Sequence, residues 1–405
     1  MPSSPPEGDP APLDGSLPPS ALAGFGSRPF GFYVHVPFCS TRCGYCDFNT
    51  YTADELGPGA SRSSYADQAV AEIRMARRVL GAVDLPVETV FVGGGTPTLL
   101  PPGDLGRILG AIREGFGLAP GAEVTTEANP DSVTAASLAA LREDGFTRMS
   151  FGLQSTAPHV LAVLDRTHTP GRAVDAVTDA RAAGFEHISV DLIYATPGET
   201  EADFGASLQA AVDSGADHVS AYSLIVEDGT RLAARIRRGE LPDVDDDVAA
   251  DRYLQADSAL TAAGLEWYEV SNWARTGAEC RHNLGYWRGD DWWGVGPGAH
   301  AHVGGVRWWN VRHPVAYAAR MQADESPAQA REQLTAEDRR VEDVLLRVRL
   351  REGLPLHSLT DTGREVAAGA VRDGLAEQAA YDDGRLLLTL RGRLLADALV
   401  RDLVD

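Results

Sequence analysis

Strand and helix patterns alternate six times in the first two thirds of the chain. The apolar runs typical of buried strands lie at 32–36, 89–92, 123–127, 148–154, 187–194 and 218–224. Between the second and third runs, Leu105, Ile108, Leu109, Ile112 and Phe116 recur at the spacing of one helix face. Strands that alternate with helices build βαβ units. The sequence therefore predicts an α/β fold whose parallel sheet is either open or a full or partial barrel.

The two ends of the chain lack this rhythm. Residues 1–28 are rich in Pro, Ser and Gly and show no periodicity, which predicts a disordered tail. After Gly304 the alternation stops, and from about residue 335 the pattern is helical with short apolar runs. We therefore predict four parts: the tail over 1–28, the strand–helix domain over 29–270, a connecting segment over 271–334, and a small α-rich domain over 335–405.

Charge and apolar content exclude several classes of protein. The chain of 405 residues carries a formal net charge of −22. Nucleic acids and anionic lipid surfaces are bound through clustered Lys and Arg, so neither partner is expected. No apolar run approaches the roughly 20 residues that span a bilayer, and no secretory signal is visible. The expected compartment is the cytoplasm.

Three of the four cysteines stand within eight residues, at Cys39, Cys43 and Cys46. In a cytosolic protein such clustering favours a metal over disulfides. Three thiolates on one short loop can bind three corners of a [4Fe–4S] cluster and leave the fourth iron open. An open position is typical of a catalytic metal site. The spacing C-x3-C-x2-C therefore predicts such a cluster.

Other interpretations of the cysteines remain open at this point. Cys280 is a conceivable fourth ligand of a structural zinc ion, although it stands alone in the sequence. Cys43 and Cys46 form a C-x-x-C pair of the redox type, which leaves Cys39 unexplained. Three buried free thiols are the simplest alternative.

Polar residues end several of the predicted strands. Gly93-Gly94-Gly95-Thr96 follows the second strand, while Glu127, Gln154 and Asp191 lie at or near the ends of the next three. The carboxyl ends of parallel strands meet at one mouth, where ligands bind. A glycine turn lets the backbone approach a ligand closely, and carboxylates bind ribose hydroxyls. These residues predict a nucleoside ligand beside the cluster.

Several longer motifs resemble one known family. They are Phe32-Tyr33-Val-His-Val-Pro-Phe-Cys39, Gly93-Gly-Gly-Thr-Pro-Thr98, Glu127-Ala-Asn-Pro, Phe151-Gly-Leu-Gln154, Arg166-Thr-His168 and Asp191-Leu-Ile-Tyr. Together they resemble the oxygen-independent coproporphyrinogen III oxidase group of radical S-adenosylmethionine (SAM) proteins, from about Phe30 to the C-terminus. The resemblance implies a partial (β/α)6 radical SAM barrel with a small α-rich C-terminal domain. It also implies that SAM binds the cluster and contacts Tyr33, Tyr45, Gly94, Gly95, Thr96, Glu127, Gln154, Arg166 and Asp191.

Two features separate the branches of this family. Phe48 stands two residues after Cys46, where the oxidases carry a fourth cysteine. The sequence His282-Asn283-Leu-Gly-Tyr286-Trp287 is similar to a motif of the heme-chaperone branch. The resemblance implies heme contacts at His282, Asn283, Tyr286 and Trp287, and a neutral imidazole can ligate heme iron axially. The alternative is that His282 and Asn283 fix a loop and that the tryptophans belong to the core.

The resemblance favours a heme chaperone that binds heme and passes it to an acceptor protein such as a membrane respiratory enzyme. An anaerobic coproporphyrinogen III dehydrogenase is the main alternative, and Phe48 disfavours it. A radical SAM enzyme that acts on another tetrapyrrole is a third interpretation. The sequence leaves open whether SAM is cleaved and whether the chain forms a homodimer.

Overall fold

The computed structural model describes residues 7–56, 59–81, 84–167, 169 and 171–404. The strands are β1 (Asp9–Pro10), β2 (Phe30–Val36), β3 (Val87–Gly94), β4 (Leu118–Ala128), β5 (Arg148–Gln154), β6 (His187–Tyr194), β7 (His218–Ser223), β8 (Glu266–Glu269), β9 (Asn272–Ala274), β10 (Asp291–Val295), β11 (His300–Val303), β12 (Val306–Asn310), β13 (Ala328–Gln333), β14 (Leu354–Pro355) and β15 (Arg385–Leu386).

The helices are α1 (Pro19–Gly24), α2 (Ala53–Leu56), α3 (Arg62–Leu80), α4 (Asp104–Phe116), α5 (Ala135–Asp144), α6 (Pro158–Val163), α7 (Arg172–Ala182), α8 (Glu201–Asp213), α9 (Arg231–Arg237), α10 (Asp246–Ala262), α11 (Arg281–Arg288), α12 (Pro314–Gln322), α13 (Ala336–Arg347), α14 (Asp361–Arg372), α15 (Gln378–Asp382), α16 (Leu390–Leu394) and α17 (Ala396–Val404). Short 3₁₀ turns occur at Pro97–Leu99, Pro130–Ser132 and Leu356–Ser358.

Six parallel strands in chain order, β2 to β7, form the centre of the structure. At least one helix follows each strand before the next begins, as right-handed βαβ crossovers require. On the β7 side the sheet continues through β9 and β8, and on the β2 side through β10 to β13 and β1. This run of parallel strands confirms the predicted partial (β/α)6 radical SAM barrel.

The two faces of the barrel strands differ in chemistry because side chains alternate along a strand. On β2, Phe30, Phe32 and Val34 are almost fully buried, and the Phe32 ring packs edge-on against Phe116 of α4 with centroids 5.0 Å apart. Tyr33 and His35 point to the opposite, inner face, where their side chains are hydrogen-bonded to each other. The helices thus cover an apolar face, and polar and aromatic side chains line the barrel interior.

The prediction of a disordered tail over residues 1–28 is wrong for part of this segment. Residues Asp9–Pro10 pair with β13, and α1 buries Ala21. A segment rich in proline and glycine can still be ordered when it pairs with an exposed edge of a sheet. Here β1 pairs with β13 in this way. Residues 1–6 lie outside the described part of the chain.

The segment over 271–334 is built into the sheet. Its strand β10 pairs in parallel with β2, and β11, β12 and β13 extend the sheet antiparallel from there. The segment therefore extends the central sheet beyond β2. It is part of that sheet as well as a connection between the two predicted domains. The predicted boundary at 270/271 falls between β8 and β9, which pair as a hairpin.

The C-terminal helices surround a second apolar cluster. Val344, Leu354, Ala367, Leu386 and Leu403 belong to its fully buried members. Within this part of the chain β14 and β15 form a two-stranded ribbon. The division into domains at residue 335 stays a prediction. In the described residues, no helix combines the length and the apolar character that a membrane crossing requires.

Candidate functional site

The three clustered cysteines lie in the loop that follows β2, at the carboxyl end of the barrel strands. Each is partly exposed as a free thiol. Burial, together with the charges of Cys46 and Cys43, raises the pKa of the Cys39 thiol to about 11. The three thiols are therefore close enough to repel one another as thiolates. Bringing a positive iron centre among them would remove this repulsion.

The backbone around the cysteine loop is fitted closely to the neighbouring loops. A Cβ atom on Gly95 would lie 2.5 Å from the Phe38 carbonyl oxygen and 3.1 Å from Cys39 Sγ. A Cβ on Gly44 would lie 2.5 Å from Asp165 Oδ2, and the Gly44 carbonyl accepts a hydrogen bond from the Leu232 amide at 2.9 Å. These glycines let three loops pack against the cysteines.

Cys280 lies at the opposite end of the barrel. It is 5% exposed, and its Sγ donates to Glu123 Oε1 at 3.6 Å. Glu123 stands in the part of β4 that precedes Glu127 at the mouth. Cys280 is therefore not a fourth ligand for the three loop cysteines, and the four-cysteine zinc interpretation is wrong. Among the described residues, no three His, Cys, Asp or Glu side chains are grouped closely enough for a single metal ion.

Two carboxylates face each other at the mouth, one on β4 and one on β6. Glu127 accepts a hydrogen bond from the Gly94 amide at 3.0 Å. Burial, reinforced by the charge of Asp191, raises the pKa of Glu127 to about 8. Burial also raises the pKa of Asp191, although Ser150 donates to both of its oxygens, at 3.2 and 3.1 Å. Both groups would be stabilised by a cationic or hydroxyl-bearing ligand.

Arg166 and Gln154 complete this rim. Arg166 donates through Nη1 to Cys43 Sγ at 3.5 Å and through Nη2 to the Gly152 carbonyl at 3.2 Å. Gln154 takes a backbone φ of 64°, which is unusual for a residue with a side chain. Gln154 Oε1 and Arg166 Nε are buried and, in the described part of the chain, have no hydrogen-bond partner. Arg166-Thr167 belongs to a quoted motif whose third residue, His168, lies outside the described residues.

These features fit a [4Fe–4S] cluster with SAM beside it. Soft thiolates are the ligands that such clusters use. Orphaned polar atoms, paired carboxylates and a glycine turn at one mouth are the contacts that a charged nucleoside requires. Thr96 lies near the cysteines and bonds to Cys39, and Tyr45 has its phenol pKa raised by burial and by Cys43. The structure thus brings every residue predicted for cluster and SAM to one end of the barrel.

The motif His282–Trp287 forms α11 at the other end. Glu123 carboxylate oxygens accept from the backbone amides of Arg281 at 3.1 Å and His282 at 3.0 Å, and so cap the helix. The His282 ring is 4% exposed. Its Nδ1 bonds to Thr89 Oγ1 at 2.8 Å and its Nε2 to Tyr286 Oη at 2.9 Å. Both ring nitrogens of His282 are thus engaged within the protein in this structure, and heme contact at His282 stays a prediction.

The other motif residues are less deeply placed. Asn283 donates to Glu269 Oε1 at 3.2 Å. The Tyr286 ring meets Trp292 edge-on, with centroids 4.7 Å apart, and Tyr286 and Trp287 are both half-buried. Trp293, in contrast, is 3% exposed and packs in the core against Trp308. The alternative role, in which His282 and Asn283 fix a loop and the tryptophans belong to the core, thus agrees with the contacts of His282, Asn283 and Trp293.

Three residues were missed by the sequence reasoning. Asn49 donates from Nδ2 to the Pro297 and Arg312 carbonyls, at 3.0 and 2.7 Å, and ties the cysteine loop to the β10–β12 region. His35 joins Tyr33 to this loop, and Glu123 caps α11. His35 stands inside a quoted motif, so its spacing to the cysteines carried a signal. Asn49 and Glu123 carried none, since their partners lie more than 150 residues away.

Known proteins match this chain in sequence. The model of the Radical SAM superfamily matches residues 33–211. Heme chaperone HemW of Mycobacterium tuberculosis (strain ATCC 25618 / H37Rv) is 55% identical over 383 residues, which cover 95% of this chain and 97% of that protein. Heme chaperone HemW of Bacillus subtilis (strain 168) is 32% identical over 374 residues, 90% of this chain and 96% of that protein.

A solved structure shares the fold over almost the whole chain. Coproporphyrinogen III oxidase (HemN) from Escherichia coli, a radical SAM enzyme, superposes with a TM-score of 0.80 at 23% sequence identity, covering 95% of this chain and 92% of that chain. The resemblance drawn from the sequence motifs is thereby confirmed. This chain belongs to the HemW family of radical SAM proteins.

Proposed function

We propose that this protein is a heme chaperone that binds heme, carries a SAM-coordinating [4Fe–4S] cluster and transfers heme to an acceptor protein. The observation that carries the proposal is the 55% identity, over nearly the full length of both chains, to a protein named heme chaperone HemW. Phe48 agrees with it: the side chain is 62% exposed beside the cysteine loop and supplies no thiol.

In this proposal, Cys39, Cys43 and Cys46 hold the cluster at the barrel mouth. Tyr33, Tyr45, the Gly94–Thr96 turn and the rim of Glu127, Gln154, Arg166 and Asp191 hold SAM. Arg166 suits a carboxylate because its guanidinium fork is planar and always charged. When bound and reductively cleaved, SAM supplies a 5′-deoxyadenosyl radical. The residues of this chain position the ligand and exclude water from it.

Heme is proposed to contact the half-buried part of α11, at Tyr286, Trp287 and Asn283. Aromatic side chains offer flat apolar area to a porphyrin. His282 completes the proposed set, and axial ligation there would require its ring to give up its bonds to Thr89 and Tyr286. The acceptor is proposed to be a respiratory heme protein, and the compartment the cytoplasm. No nucleic-acid partner is proposed, since the net charge is −22.

Anaerobic reconstitution with two parallel assays tests this function. One assay titrates heme into the protein and follows the Soret band, and the other supplies coproporphyrinogen III, SAM and a reductant. The expected result is saturable heme binding without formation of protoporphyrinogen. Turnover of coproporphyrinogen III would favour the dehydrogenase, and the absence of heme binding would overturn the chaperone.

A further inference from the structure

Three rings from separate elements stack through the barrel interior. Tyr33 of β2 stacks on Phe91 of β3 with centroids 6.4 Å apart and planes 27° apart. Phe91 in turn stacks on His282 of α11, at 5.4 Å and 23°. Tyr33 and Phe91 are direct partners in the β2–β3 register, so their rings lie side by side along the same inner face. We call these three rings the lumen column.

The base of the lumen column is fixed. Both His282 nitrogens have hydrogen-bond partners, Thr89 on β3 and Tyr286 on α11. The His282 backbone amide is held by Glu123 of β4. A ring that is bonded at both nitrogens and 4% exposed has one orientation, so it presents an immobile surface to Phe91.

The top of the lumen column reaches the cluster and SAM residues. The Tyr33 hydroxyl is hydrogen-bonded to His35 Nδ1 at 2.9 Å, and His35 Nε2 is bonded to the Asn49 carbonyl of the cysteine loop, also at 2.9 Å. A Cβ on Gly93 would lie 2.8 Å from Glu127 Oε2 and 2.9 Å from the Phe91 ring, so the lumen column and the Glu127 carboxylate meet at this glycine. Burial and the charge of Glu127 also raise the pKa of the Tyr33 phenol. The lumen column therefore adjoins both the cysteine loop and the carboxylate rim.

We infer that His282 and Phe91 are positioning residues for the SAM site, acting through the ring of Tyr33. The motif on α11 then serves the barrel mouth as well as its own end of the barrel. This inference rests on the proposed function only for the cluster and SAM, and it does not depend on where heme binds. Aromatic rings in contact prefer defined offset or edge-on arrangements. Each ring of the lumen column therefore limits the orientation of the next ring.

SAM affinity measured by equilibrium dialysis on reconstituted protein tests the column. His282→Ala and Phe91→Leu should each weaken SAM binding roughly five- to tenfold, the loss expected for one stacked pair. Both variants should keep the iron content of the wild type. Phe91→Tyr keeps the ring that stacks on both Tyr33 and His282 and should bind SAM within about twofold of the wild type. Arg288→Gln, on the exposed side of the same helix, is the matched control and should bind SAM as the wild type does.

The SAM-induced change in the electron paramagnetic resonance signal of the reduced cluster is the second readout. It should be altered in His282→Ala and Phe91→Leu and normal in Phe91→Tyr, which loss of stability alone would not produce. Wild-type affinity in both Phe91→Leu and His282→Ala would overturn the inference, and so would a loss of affinity in Phe91→Tyr as large as that in Phe91→Leu. If His282→Ala does not fold, Phe91→Leu decides. Failure of the wild type itself to bind SAM would overturn the proposed function and this inference with it.

Discussion

The two ends of the barrel differ in what surrounds their buried polar side chains. Both ends hold unpaired buried atoms among the described residues, including Trp287 Nε1 and Arg148 Nη2 on the α11 side. At the α11 end, His282 uses both ring nitrogens and the Cys280 thiol bonds to Glu123. At the mouth, the side chains of Gln154 and Arg166 include buried atoms without a hydrogen-bond partner in the described residues. Gln154 also takes a left-handed backbone conformation with φ 64°.

Buried polar atoms are paired in nearly all native structures, so unpaired ones need an explanation, and a bound ligand is one. Backbone strain is retained where function requires it. The distinction between the ends therefore rests on the thiols, the two carboxylates and the left-handed Gln154 at the mouth, and on the internal hydrogen bonds of His282 at the other end. The following experiments compare residues of the mouth with residues of the α11 end or of its surface.

The largest expected difference concerns the cysteines. Replacing Cys39, Cys43 or Cys46 with Ser should abolish the cluster, because each thiolate holds one corner. Cys280→Ser should retain about four irons per chain, since its thiol lies at the other end of the barrel. Iron and sulfide analysis after anaerobic reconstitution measures this. Loss of the cluster in Cys280→Ser alone would show that the ligand set is wrong.

The free energy of unfolding should fall more for a variant at the α11 end than for a variant at the mouth. His282→Ala removes a buried ring and leaves the Thr89 hydroxyl unpaired, so the free energy of unfolding should fall by about 2–4 kcal/mol. Gln154→Gly relieves an unfavourable φ and should change it by less than about 1 kcal/mol. Urea denaturation followed by tryptophan fluorescence compares the two variants. Equal losses would mean that Gln154 contributes as much to the free energy of unfolding as His282 does.

The raised pKa of Glu127 makes stability depend on pH. Its folded value of about 8 lies above the ordinary 4.5, so between these values the folded state holds a proton that the unfolded state lacks. The free energy of unfolding of SAM-free protein should therefore fall as pH rises through this window, and Glu127 should contribute at most about 1.4 kcal/mol per pH unit. The pKa values of Glu72, Glu199 and Glu269 are raised to about 7, so these groups add to the fall. Glu127→Gln should make the slope between pH 7 and 8 shallower than in the wild type, and an unchanged slope would refute the assignment.

The smallest effect is expected at the surface of α11. Arg288 pairs with Glu352 at 2.7 Å, with side chains 43% and 33% exposed. Solvent screens such a pair, so Arg288→Gln should cost less than about 1 kcal/mol. The thermal unfolding midpoint should stay close to that of the wild type. A loss as large as that of His282→Ala would place the C-terminal helices among the main supports of α11.

Much of the barrel could be predicted from local pattern. The strands Arg148–Gln154 and His187–Tyr194 have the predicted bounds, because apolar residues recur at every second position along both segments. The gathering of Glu127, Gln154 and Asp191 at one mouth followed from the topology of parallel strands. These features depend on neighbours in sequence or on a general rule of the fold.

Other features depend on distant partners and carried no local signal. The pairing of β10 with β2 joins residues about 260 positions apart, and β1 pairs with β13 from the other end of the chain. The hydrogen bonds of His282 to Glu123 and Thr89 are revealed by no spacing around the His282 motif. The sequence thus indicates which side chain types stand at this motif, but not how deeply they are buried.

The central claim is that the mouth holds a cluster with one iron open to SAM. Electron paramagnetic resonance of the reduced, reconstituted wild-type protein, with and without SAM, tests it most directly. An iron held by three cysteines and open at one corner should change its signal when SAM binds, and Asp191→Ala should weaken this response. A signal that is identical with and without saturating SAM would contradict the account.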